Sequence, residues 1–164
     1  MGRRKKRSSG PGPNSRMFEP WQADVRRFFC SAHAKQRNGL LLDAMETIAA
    51  NWITQHPEYG SDLADKPAAQ AAAQAAVYTV EDGRTNPFLH LSMHLSIHEQ
   101  VASDRPTSLP ASAVEFLAAR RNSLHTAHHE VMECLGEMIW TSRRSGLSPD
   151  GQAYIEAVRR RATR

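Results

Sequence analysis

"NPFLHLSMHLSIHEQ", residues 86–100, governs how the rest of the chain is read. Asn86 before Pro87 is a helix-start signal, a capping side chain followed by a residue whose missing N–H costs nothing in the first turn. Histidines then recur at every fourth position, His90, His94 and His98, inside an apolar run. At about 100° per residue, Ser92, Ser96, Glu99 and Gln100 gather on one side, and Leu91, Met93, Leu95, Ile97 and Val101 take the other. His94 falls near the middle of the apolar arc, with His90 and His98 to either side. A buried imidazole must hydrogen-bond, ionise at a cost, or bind something.

"LHTAHHEVMECLGEMIW", residues 124–140, repeats the pattern. Its projection puts His128 among Leu124, Val131, Leu135 and Ile139, with His125 towards one edge. His129 lies nearer the polar side, where Glu130, Glu133 and Glu137 read as a solvated face. In the segment ending at His56, Glu46 and His56 fall on or beside the apolar face of Leu42, Met45, Ala49, Trp52 and Ile53.

Neutral imidazole is the commonest metal ligand, and an i, i+4 pair on a helix can clamp one ion. His90 and His98 stand about 12 Å apart along a helix axis and cannot share it. If residues 111–144 fold back antiparallel to the helix at 87–103, His90 meets residues near 123. The favoured metal set is therefore His90, His94, His125 and His128, with Glu46, His56 and His98 as further candidates. The ligand type suits a divalent metal, zinc or iron. An open coordination position would activate water or a thiol substrate, as in a metal-dependent hydrolase or a thiol-handling enzyme. The competing reading is a non-catalytic interaction protein whose histidines form a structural network. "HEQVA" and "HEVME" lack the final histidine of H-E-x-x-H, no E-x-x-H occurs, and there is no P-loop or G-x-S-x-G. Neither the small-molecule substrate nor the catalytic residues can be read here.

The other segments are helical too. The first runs from about Pro20 to Arg37 and closes at Asn38-Gly39, and Asp43 can cap a second that Pro57 ends. Residues 61–85 read as a low-complexity connection, since their Ala/Gln run has helix propensity but little to bury. Residues 111–144 stay helical with one possible break at Asn122-Ser123, and a last helix follows Gly146. The expectation is an all-α fold, a small helical bundle of about four to six helices, as a single domain over residues 17–164.

The 164 residues carry a net charge of +4, but "MGRRKKRSSGPGPNSR" supplies six basic residues (Arg3, Arg4, Lys5, Lys6, Arg7 and Arg16) and no acidic one. The remainder sets 15 basic against 17 acidic residues, a net of −2. Residues 1–16 thus read as a disordered basic tail or a start placed too early, and any nucleic-acid partner is tied to it or to the terminal "RRRATR". No apolar run approaches a membrane span, and Cys30 and Cys134 read as reduced cytoplasmic thiols. Oligomeric state is not legible.

"MFEPWQADVRRFF", "HPEY", "EDGRTNPFLHLSMHLSIHEQ" and "HHEVMECLGEMIW" together resemble the proteobacterial domain-of-unknown-function family numbered eighteen forty-one, over roughly residues 17–160. The resemblance implies a small cytoplasmic bacterial protein and supplies no activity. Family members begin near Met17, so the basic tail departs from the pattern, and the Ala/Gln stretch looks like a local expansion. The histidine layout is also similar to metal-binding four-helix bundles of the damage-inducible B type, which use three histidines on different helices.

Overall fold

A computed structural model describes residues 15–64, 86–103, 105 and 108–164. Among them the fold is all-α, with seven helices and no strand: α1 (Ser15–Arg37), α2 (Ala44–Thr54), α3 (Gly60–Leu63), α4 (Pro87–Ala102), α5 (Ala111–Arg121), α6 (Leu124–Ser145) and α7 (Gly151–Thr163). The first fourteen residues of the expected tail and residues 65–85 of the expected connection lie outside the described residues.

The helix ends follow local chemistry. Asp43 accepts from the Glu46 amide at 2.8 Å while the Glu46 carboxylate accepts from the Asp43 amide at 3.0 Å, a reciprocal cap that starts α2. Pro57 disfavours helical backbone in the residue before it, so α2 stops and a 3-10 turn, Pro57–Tyr59, leads into α3. Asn86 Oδ1 accepts from the amides of Phe88 and Leu89 at 3.0 and 3.2 Å and fixes the start of α4.

The break expected at Asn122-Ser123 divides residues 111–144 into two helices: Asn122 takes the left-handed conformation at φ 49° and ends α5. Ser123 then caps α6 by accepting from the Thr126 amide at 3.1 Å. Asn tolerates this backbone better than most residues, because its short polar side chain offsets the steric cost locally. What takes the count past the expected four to six is α3, a single turn at the start of the stretch expected to be a connection. No described helix is long and apolar enough to cross a membrane.

Two apolar cores form, and α4 belongs to both. Phe88 and Leu91 pack with Phe29, Ala32, Ala49, Trp52, Ile53 and Leu63 of α1–α3. One turn or two further along α4, Ile97 packs with Val114, Leu117, Val131, Ile155 and Val158 of α5–α7. His94 lies between these contacts in sequence and is fully buried.

Candidate metal centre

Three chain segments bring imidazoles to the seam between the cores. On α4, His90 and His94 are four residues apart and therefore share a face. On α6, His125 and His129 do the same. His56 comes from the turn after α2, where the break imposed by Pro57 lets the chain leave the helix axis while the ring stays buried at 3% exposure.

The ring nitrogens are close. His56 Nε2 stands 3.0 Å from His94 Nε2 and 3.0 Å from His125 Nε2, and His90 Nε2 is 3.1 Å from His129 Nε2. One nitrogen from each of His56, His90, His94 and His129 lies within 4.8 Å of all the others, so this buried four-histidine cluster could hold a metal ion. Two imidazoles ligating one ion at 2.0–2.1 Å, at angles of about 90–109°, stand about 2.9–3.4 Å apart. The His56–His94 and His90–His129 spacings fall in that interval, while the four nitrogens as a set lie within 4.8 Å of one another.

The surroundings orient each ring. Glu58 Oε1 lies 2.8 Å from His56 Nδ1. The interaction with His56 holds the Glu58 carboxyl below its ordinary range, so the carboxylate accepts and His56 Nδ1 carries the proton. In neutral His56 this leaves Nε2 as a bare lone pair aimed at the cluster. Trp52 stacks on His94 with centroids 3.9 Å apart and planes at 14°, and Tyr59 stacks on His56 at 5.0 Å and 13°. His94 and His128 face each other through Nδ1 at 3.3 Å.

Burial favours the neutral form of five imidazoles, His90, His94, His125, His128 and His129. Loss of solvation, with the nearby His128, His90, His56 and His129 rings, pushes His94 down to about 2. Burial and neighbouring imidazoles likewise bring His90 and His128 to about 4, and lower His125 and His129. Neutral rings are the ligand form. His56, His94 and His128 are buried while His90, His125 and His129 are half-buried.

The geometry redistributes the roles expected from sequence. His90 and His94 are in the four-membered cluster, His125 lies against His56 at its edge, and His128 stands behind His94 through the other ring nitrogen. His56, a further candidate from sequence, is central. His98 is exposed. Glu46 is engaged elsewhere, accepting from Lys35 Nζ at 2.6 Å and closing the α2 cap. His129 was not among the candidates, because the helical projection set it towards the polar side. Its spacing from His125, the same as that of His94 from His90, was the signal available. His33 stands apart from the cluster, in a cleft with Arg37 and Leu63.

A family model described as a domain of unknown function (DUF1841) matches residues 21–160. No curated protein and no solved structure matches the chain.

Proposed function

Because the chain belongs to the DUF1841 family, whose description assigns no activity, we propose a function from the site alone: a metalloprotein in which His56, His90, His94 and His129 hold one divalent ion, zinc or iron. The observation that carries this reading is the convergence on His56 Nε2, which ring nitrogens of His94 and His125 both approach to 3.0 Å while Nδ1 faces Glu58. One proton in line between two ring nitrogens satisfies the His90–His129 or the His94–His128 contact, but His56 Nε2 meets two nitrogens at once. A cation satisfies converging lone pairs together.

Outer partners fit the same role. A ligating histidine usually donates its other ring N–H to a carboxylate or similar acceptor, which fixes the ring and raises its basicity. Glu58 does this for His56, and His128 Nδ1 is placed to do it for His94. What a divalent ion supplies when bound is Lewis acidity towards an oxygen or sulfur donor. Of the rings that would hold the ion, those of His90 and His129 are half-buried, while Trp52 covers the ring of His94. The protein is accordingly a cytoplasmic bacterial enzyme of metal-dependent hydrolase or thiol-handling type, acting on a small molecule.

Elemental analysis of untagged protein after long dialysis tests the reading, with an expected content of about one zinc or iron per chain. Less than about a tenth of an ion per chain, together with no gain in stability on adding zinc or ferrous iron, overturns it in favour of a structural histidine network in a non-catalytic protein.

A further inference from the structure

We infer that the cleft between the end of α1 and α3 is a second binding site, separate from the metal centre, for a small apolar carboxylic acid in its ionised form. His33, Ala34, Arg37 and Asn38 line the cleft from one side, and Leu63 and Ala64 from the other. None of the clustered histidines reaches it. The cleft measures about 330 Å³, at the small end of the sites that hold small molecules.

Its polar groups point to one kind of guest. His33 Nδ1 is closed off from water, and among the described residues it is the one buried side-chain nitrogen or oxygen with no hydrogen-bond partner. Buried polar groups in folded proteins have partners as a rule, so this nitrogen marks the cleft as a place where a guest supplies one. Arg37 follows His33 by four residues and so shares its face of α1. It is exposed, and among the described residues it forms no ion pair. Burial first, and then the Arg37 charge, hold His33 below its ordinary range, so the ring is neutral and offers one N–H.

The end of α1 does not oppose an anion. The carbonyls of Ala34, Lys35 and Gln36, which would repel one, already accept from the amides of Asn38, Leu40 and Gly39 at 3.1, 2.9 and 3.3 Å. Asn38 Nδ2 donates one of its two hydrogens to the Ala34 carbonyl at 2.8 Å and keeps the other. Among the described residues no acidic side chain lines the cleft. A guanidinium, a ring N–H and an amide N–H are all donors, and a carboxylate accepts from several at once. The rest of the lining, Ala34, Leu63 and Ala64, is apolar and suits a hydrocarbon chain in place of a second charged group. The bound carboxylate accepts from Arg37 and from His33, whose proton then sits on Nδ1, and no covalent bond changes.

Nuclear magnetic resonance of the isotope-labelled full chain, as purified, tests this with hexanoate as the probe and neutral hexanamide beside it. Hexanoate should saturate the protein while the His33 ring signals shift to the form protonated at Nδ1. Hexanamide should bind at least about tenfold more weakly, and so should hexanoate to Arg37→Gln, a change at an exposed position that leaves the fold in place. Failure to saturate up to about 20 mM hexanoate, or equal affinity for hexanoate and hexanamide, overturns the inference. So does hexanoate binding that Arg37→Gln does not weaken or that leaves the His33 ring signals in place, since the carboxylate is then held elsewhere, at the metal centre or beyond it. Inorganic phosphate that binds more tightly than hexanoate overturns the apolar class of guest. The metal reading stands apart from all of these results, because no clustered histidine lines the cleft.

Discussion

Acidification of the metal-free protein offers a test whose size follows from two buried rings. Unfolded imidazoles titrate near 6.5, whereas folded His94 and His128 remain neutral down to about 2 and about 4. Below about pH 6.5 the unfolded chain binds protons that the folded one refuses, so the stability held in these rings is complete above that pH and declines as pH falls. At about pH 5.5, one unit below the unfolded value, each ring contributes a loss of about 1.4 kcal/mol. Both are at most 4% exposed, so solvent relieves little of this. The pair should lower stability by about 3 kcal/mol, a large share of the 5–15 kcal/mol typical of a folded domain. The partly exposed His90, His125 and His129 shift in the same direction and add to the loss. Glu46 and Glu58 are held below their ordinary range, so their contribution is present above the unfolded carboxylate range and is lost only further into acid. The interval between about pH 7.5 and 5.5 therefore isolates the histidines. Urea unfolding of chelator-stripped protein, followed by circular dichroism at the two pH values and constant ionic strength, measures the difference. A change below about 1 kcal/mol would refute the claim that these rings are buried neutral.

Two further substitutions separate site from scaffold. Glu58→Gln should weaken zinc or ferrous iron binding by about 10–100-fold, because His56 loses the carboxylate that fixes its tautomer; metal titration against a competing chelator reads it, and an unchanged affinity denies Glu58 that role. Asp43→Ala removes the cap of α2 and should cost about 1 kcal/mol in a thermal or urea melt. Metal content should stay at the wild-type level, and a parallel loss of metal would mean that the α2 start and the site are coupled.

Much of this architecture was readable where the chain states its own boundaries. Asn86-Pro87 set the start of α4 and hence the phase of His90 and His94. Asp43, Pro57 and Asn122-Ser123 marked ends that the structure places at or beside those residues. The site was less legible, for a geometric reason. A helical projection sorts residues into an apolar and a polar side, but α6 packs against α4 as well as against α5 and α7. It therefore has two covered faces, and His129, polar-side by projection, is turned to α4. His56 depended on how the chain leaves α2 after Trp52, which is decided by packing between segments far apart in sequence. Glu46 shows the converse: a carboxylate beside an apolar face already has a local partner in the helix cap and needs no ion.

The double membership of α4 bears on how the molecule comes apart. Its Leu91 end belongs to the core of α1–α3 and its Ile97 end to the core of α5–α7. The two cores thus share one rod, and His94 sits at the junction. An ion joining His56 from one half to His129 from the other acts as a rivet across that junction. With it in place, neither half could open without breaking coordination bonds, and melting would be a single event. Without it, the join would rest on α4, on Trp52 packed against His128, and on a group of mutually crowded imidazoles. An ion held there would set the size of the cooperative unit as well as its stability.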